Sequence, residues 1–163
     1  MIEKHSLENY LQVLEESLHK KLSVLSRIED VNIRQEQILK AEAVSEDDFD
    51  RSIDEKGMLI EELQALDHGF EALYEHIREQ LTENRERYKH QIPVLQKLIG
   101  EVTDKSVSIQ AQEARNKVLA ERFFASRKQE LQKGRKSSRA ALDYYLSMSQ
   151  SQVVPPQFMD KKK

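Results

Sequence analysis

The chain has 163 residues, of which 34% are charged, 38% apolar and 6% aromatic, with four Gly, three Pro and no Cys. This composition is typical of long, solvated helices; it argues against a compact sheet protein, and so few apolar residues exclude a large spherical core or a roomy ligand pocket. No run approaches the roughly 18 consecutive apolar residues of a membrane span, and Met1 to Ser6 does not predict a signal peptide. The lack of Cys excludes disulfides and is compatible with a cytoplasmic protein.

Charge is distributed unevenly along the chain. Residues 1–81 carry 20 acidic and 9 basic side chains, a net of −11, whereas residues 82–163 carry 9 acidic and 17 basic side chains, a net of +8. Two interpretations follow. In the first, acidic and basic helices attract each other within one bundle. In the second, the basic region, which is densest at 115–139, forms a surface for an acidic partner.

The first predicted element is a helix over about residues 3–42. Its apolar residues recur at steps of three and four, which places them on one stripe of a helix that must be buried against another helix. This stripe consists of Leu7, Leu11, Leu14, Leu18, Leu22, Leu25 and Ile28. Ser45 is placed to cap the next helix, and acidic residues 46–48 follow where the positive end of a helix dipole favours them.

The second predicted helix covers residues 46–88, and the break after it is harder to place. Its apolar stripe consists of Ile53, Ile60, Leu63, Phe70, Tyr74, Ile77 and Leu81. Pro93 donates no backbone hydrogen bond and is expected to push Ile92 away from helical dihedral angles, which favours a turn within 82–93. The heptad phase nevertheless continues through Tyr88 and Leu95, so one long kinked helix is the alternative.

The third predicted helix covers residues 94–147. Its first half continues the apolar stripe, but after Ile109 the stripe positions become polar, beginning with Gln112 and Asn116. Because a polar stripe is not expected to be well buried, we predict that this second half projects from the bundle. Residues 148–163, which are rich in Ser, Gln and Pro, are expected to form a flexible tail.

The predicted fold is therefore all-α, with one helical domain over residues 1–147. We expect an antiparallel bundle of three long helices with coiled-coil-like seams and a projecting C-terminal helix. The first helix should pack on both the second helix and the first half of the third. The expected core includes Leu14, Leu18, Leu25, Ile60, Leu63, Phe70, Ile77, Val102 and Ile109.

No catalytic constellation is visible in the sequence. Glu16 and His19 form one Glu-x-x-His pair, but a di-iron bundle needs a second copy and two more carboxylates. There is no Gly-rich phosphate loop, nucleophile elbow or Cys/His pair. We therefore predict a protein that is not an enzyme and has no cofactor, catalytic residue, metal or small-molecule substrate.

Two segments resemble a known family. The segment Ile53–Leu63 is similar to the Ile-x-Glu-Lys-x-x-Leu-x-x-x-Leu start of the second helix in FlgN-type flagellar export chaperones. The segment Val102–Ser106 looks like the family's third helix, in which amide side chains interrupt the apolar stripe. Its matching continuation is Ile109, Gln112, Asn116 and Leu119. The resemblance covers most of residues 5–131, and the chain differs from the family in a longer C-terminus, a more basic 115–139 region and helix-like sequence between helices two and three.

The resemblance implies a cytoplasmic chaperone of the flagellar type III export system. Such chaperones bind hook-filament junction (hook-associated) proteins, prevent their premature assembly and deliver them to the export gate. On this interpretation residues 119–146 bind a client helix, and Tyr144 or Phe158 contacts the export gate. The expected client-binding residues are Leu119, Phe123, Leu131, Leu142, Tyr145 and Leu146. For Leu119 and Phe123, an extension of the bundle core is the alternative.

Two other functions remain open from the sequence. One is a structural coiled-coil scaffold, which light scattering of the purified protein would reveal. The other, less favoured, is a helical nucleic-acid-binding protein, because the nine cations of 115–139 surround Phe123 and Phe124. These cations spread around the helix and form no single stripe, so no nucleic-acid partner is expected. We expect a monomer or a weak homodimer.

Overall fold

A computed structural model describes residues 4–126 of the chain, with side chains described from Leu7 onward. This part contains three helices, α1 (Lys4–Lys40), α2 (Glu46–Glu83) and α3 (Gln91–Ser126), and no strand. Helix α1 packs against both α2 and α3. The prediction of an all-α bundle of three long helices is confirmed. None of the described helices combines the length and hydropathy needed to cross a membrane.

Ion pairs and hydrogen bonds between the helices give their directions. Between α1 and α2, Lys21 pairs with Asp67 and Arg34 pairs with Glu55, so residue numbers rise in one helix as they fall in the other. Between α1 and α3, Glu29 pairs with Lys105 at 2.9 Å, and further along both helices the Asn32 carbonyl oxygen accepts a hydrogen bond from Asn116. Helices α1 and α2 are therefore antiparallel, α1 and α3 are parallel, and the chain runs up, down and up.

The main core is built by the apolar stripes of all three helices. Its buried residues are Leu7, Leu11, Leu14, Leu18, Val24, Leu25, Ile28, Val31, Leu59, Ile60, Leu63, Phe70, Tyr74, Ile77, Leu81, Tyr88, Ile92, Leu95, Leu98, Ile99, Val102 and Ile109. All nine core residues named from the sequence belong to this set. Heptad spacing identified them because a residue seven positions on returns to nearly the same side of a helix.

The link between α1 and α2 follows the capping pattern read from the sequence. The Ser45 side-chain oxygen accepts a hydrogen bond from the backbone N–H of Asp48 at 3.2 Å. Glu46, Asp47 and Asp48 occupy the first turn of α2, where carboxylates are favoured by the helix dipole.

The turn between α2 and α3 lies at residues 84–90, within the predicted range 82–93, but the helix ends on either side of it differ from the prediction. Helix α2 ends at Glu83, not at 88, because the side chain and backbone of Asn84 both donate hydrogen bonds to the Gln80 carbonyl oxygen and close the last turn. Helix α3 begins at Gln91, not at 94, and Ile92 is helical and buried. The expectation that Pro93 pushes Ile92 away from helical dihedral angles was wrong, because Pro93 lies in the first turn of α3, where a residue needs no N–H donor. The chain reverses between the two helices, which excludes one long kinked helix.

The predicted departure of α3 from the bundle after Ile109 also needs correction. Glu113, Asn116 and Ala120 are all buried, so α3 stays packed for at least three turns beyond Ile109. Polar stripe positions are buried here because side chains of α1 and α2 hydrogen-bond to them, as described below. The remainder of the predicted helix, 127–147, and the predicted tail lie outside the described residues.

Candidate functional site

A second, smaller core lies at the end of the bundle where α1 meets α2 and where the described part of α3 ends. We call it the terminal core. Its buried residues are Leu39, Phe49, Ile53 and Ala120. Partly buried apolar side chains pack around it, namely Ile38, Val44, Leu119, Phe123 and Phe124. This end of the molecule therefore combines a small core with a rim of half-exposed apolar groups.

Aromatic contacts attach the last described turn of α3 to the first turn of α2. The rings of Phe49 and Phe124 meet edge to face with centroids 5.9 Å apart, and Phe123 lies 6.0 Å from Phe124. Edge-to-face pairs are favoured because the positive ring edge meets the negative ring face. Phe49 is almost fully buried, whereas Phe123 and Phe124 keep part of their surface in solvent.

Two of the residues predicted to bind a client lie at this rim. Leu119 and Phe123 each place part of the side chain against the terminal core and leave part exposed. Both interpretations offered for them, core extension and binding surface, are compatible with that position. The other predicted site residues, Leu131, Leu142, Tyr144, Tyr145, Leu146 and Phe158, lie outside the described residues.

A layer of buried polar side chains separates the terminal core from the main core. We call it the polar layer. It consists of Asn32 and Gln35 from α1, Ser52 and Lys56 from α2, and Glu113 and Asn116 from α3, none of which is more than 2% exposed. On every helix the main-core residues lie on one side of the layer and most of the terminal-core residues on the other.

An ion pair between α2 and α3 lies in the middle of the polar layer. The Lys56 ammonium is 2.7 Å from Glu113 Oε2 and also donates a hydrogen bond to Gln35 Oε1 at 2.9 Å. Burial lowers the pKa of Lys56, an effect that the Glu113 charge opposes. Burial likewise raises the pKa of Glu113, and Lys56 opposes that shift. Desolvation outweighs the mutual attraction for both groups, as is expected of charges removed from water.

Amide side chains complete the polar layer and connect α1 to both other helices. Asn116 Nδ2 donates to the Asn32 carbonyl oxygen at 3.0 Å and to Gln35 Oε1 at 3.2 Å. Gln35 Nε2 donates to Ser52 Oγ at 3.1 Å. Two buried acceptors, Asn32 Oδ1 and Glu113 Oε1, receive no hydrogen bond from the described part of the chain. The layer is thus well connected but not fully satisfied.

Sequence reasoning missed the polar layer, although heptad spacing carries a signal for it. One heptad position of α2 is apolar at every repeat except one: Phe49, Lys56, Leu63, Phe70 and Ile77. The equivalent position of α3 reads Ile92, Ile99, Ser106, Glu113 and Ala120. Lys56 is the one polar residue of the α2 series, and Glu113 follows Ser106 in the α3 series; a Lys and a Glu at core positions of two helices predict a buried pair.

The residues considered for metal binding do not assemble into a site. Glu16 and His19 are exposed on α1, and His19 instead lies 3.8 Å from Glu15. Within residues 4–126 no group of three His, Cys, Asp or Glu side chains is placed to hold a metal ion. The His76 ring packs edge to face against Tyr10, with centroids 5.2 Å apart.

Comparison with known proteins gives no relative. No family model, no curated protein and no solved structure matches this chain.

Proposed function

We propose that this protein is a cytoplasmic flagellar export chaperone that binds hook-filament junction proteins, prevents their premature assembly and delivers them to the export gate. The proposal rests on the resemblance of two segments, Ile53–Leu63 and Val102–Leu119, to FlgN-type chaperones. The main observation in its support is that these two segments meet in the fold.

Residues that define the resemblance are brought together at one level of the bundle. Lys56, from the Glu-Lys pair of the first segment, lies in the polar layer beside Asn116, whose amide interrupts the apolar stripe of the second segment. The two side chains share one acceptor, Gln35 Oε1. The two segments that carry the resemblance therefore meet in one buried layer of the fold.

The rim of the terminal core supports the placement of a client surface. A chaperone of this kind needs an apolar helix face that covers the sticky helical end of a client, which is the helix-in-groove mode of recognition. Leu119 and Phe123 supply half-exposed apolar area on α3. We propose that the client surface continues from them to Leu131, Leu142, Tyr145 and Leu146, and that Tyr144 or Phe158 contacts the export gate.

Substitution at the rim tests this placement against a matched control. Phe123→Ser removes a half-exposed aromatic group, whereas Val107→Ser removes an apolar group that is 58% exposed elsewhere on α3. Titration calorimetry with a purified hook-filament junction protein should show at least tenfold weaker binding for Phe123→Ser and unchanged binding for Val107→Ser. Equal binding by both variants would show that the client site does not lie at this rim. No binding by the unaltered protein would contradict the proposed function.

A further inference from the structure

We propose that the polar layer divides the bundle into two parts that open separately. The terminal part, residues 36–53 and 117–126, opens and recloses while the main core remains folded. This inference concerns the fold alone and does not depend on the proposed function.

The two cores are very unequal in size. The main core includes buried side chains from several consecutive turns of all three helices. The terminal core has four buried residues among its described members, and five further apolar side chains around it stay partly in solvent. Since resistance to local opening grows with the apolar area that opening exposes, the terminal part opens more easily than the main core.

The polar layer weakens the connection between the two cores. Apolar contacts are lost outright when one side of an interface opens, whereas groups that are hydrogen-bonded across a layer exchange their partners for water. The ion pair of Lys56 and Glu113 adds little, because its attraction is largely offset by desolvation. Asn32 Oδ1 and Glu113 Oε1, which accept no hydrogen bond from the described residues, gain partners when water enters. The layer is thus a weak boundary between the two cores.

Opening of the terminal part would expose an apolar surface that the closed state hides. Phe49 and Ile53 are 1% and 3% exposed in the closed bundle, and Ala120 faces them from α3. The boundary crosses all three helices within their length, so the opening unit includes the α1–α2 link and the last described turns of α3 together, not one frayed end.

Native-state hydrogen exchange of the full chain tests the proposal at residue level. Amides of residues 49–53 and 117–123 should exchange at least about tenfold faster than amides of 60–77 and 95–109. They should share a common dependence on low concentrations of denaturant, which marks one cooperative opening. Simple fraying would give exchange rates that do not depend on denaturant and that rise gradually toward each helix end. A single exchange rate for all buried amides would mean that the bundle opens only by global unfolding. Either result would overturn the proposal.

Three variants test the boundary itself. Phe49→Ala should speed exchange of the terminal amides by at least about a hundredfold and leave the main-core amides unchanged. Leu14→Ala, a matched truncation in the main core, should speed main-core exchange and leave the terminal opening unchanged. The double variant Lys56→Met/Glu113→Leu should slow terminal exchange about tenfold by joining the two cores. If Phe49→Ala and Leu14→Ala affect all amides equally, or if the double variant leaves terminal exchange unchanged, the polar layer is not the boundary.

Discussion

Removal of one partner of the buried ion pair should be far more harmful than removal of both. In the variant Lys56→Met, Glu113 keeps a carboxylate that is 0% exposed but loses its only cation within reach of a hydrogen bond among the described residues. In Lys56→Met/Glu113→Leu, two apolar side chains of similar volume take the place of the pair. The comparison separates the cost of an unpaired buried charge from the net contribution of the ion pair.

The magnitudes follow from the geometry. Two unit charges 2.7 Å apart, as in Lys56 and Glu113, attract by about 6 kcal/mol at an effective dielectric constant of about 20. Desolvation costs several kcal/mol for each ion and offsets most of that attraction. We therefore expect Lys56→Met to lower the free energy of unfolding by about 3–5 kcal/mol, and the double variant to lie within about 2 kcal/mol of the unaltered protein or above it.

Urea unfolding followed by far-ultraviolet circular dichroism measures both values. Lys105→Met is the control, because the Lys105–Glu29 pair has a similar 2.9 Å separation but side chains that are 34% and 21% exposed, and its loss should cost no more than about 1 kcal/mol. The Lys56→Met deficit should also shrink as pH falls from 7 toward 5. Burial raises the folded-state pKa of Glu113 and Lys56 opposes that rise, so the pKa is higher in Lys56→Met than in the unaltered protein. The variant therefore regains more stability than the unaltered protein as its carboxylate is protonated at lower pH. A cost below about 1 kcal/mol for Lys56→Met, or a double variant as unstable as the sum of the single variants, would refute this reasoning.

Three further results are expected. Leu18→Ala and Leu63→Ala, at sites 3% and 4% exposed, should each lower the free energy of unfolding by about 2–5 kcal/mol, and near-zero effects at both would contradict the core assignment. Burial raises the pKa of Tyr74 from 10.0 to about 12, so the free energy of unfolding of the unaltered protein relative to that of Tyr74→Phe should be constant below pH 10 and fall as pH rises from 10 toward 12. A pH-independent difference would show that the phenol titrates equally in both states. Deletion of residues 140–163 should leave helical content and melting nearly unchanged while abolishing pull-down of hook-filament junction proteins, and full-affinity binding by the truncated protein would place the client site elsewhere.

The apolar pattern was sufficient to predict the helices and the main core. Steps of three and four identify the buried face because they match the turn of a helix, and Leu14, Ile60 and Val102 are buried as expected. The turn was correctly expected within 82–93, but Pro93 led to a predicted start of the third helix at 94, because the rule against Pro in helices does not apply in a first turn, where Pro93 lies.

The polar layer shows why the rest of the fold could not be predicted in the same way. Gln112 and Asn116 were interpreted as evidence that α3 leaves the bundle, since polar groups are costly to bury alone. Their cost is offset by partners far away in the sequence, such as Asn32, which bonds to both. Pairing of this kind depends on the register of three helices, and one helix's sequence does not contain that register.

We proposed that this protein is an export chaperone for hook-filament junction proteins. Light scattering of a purified junction protein, with and without the full chain, tests this function directly. We expect the junction protein alone to self-associate over time, and an equimolar amount of this protein to hold it in a small complex of fixed stoichiometry. Self-association that proceeds unchanged, with no complex detected at micromolar concentrations of both proteins, would contradict it.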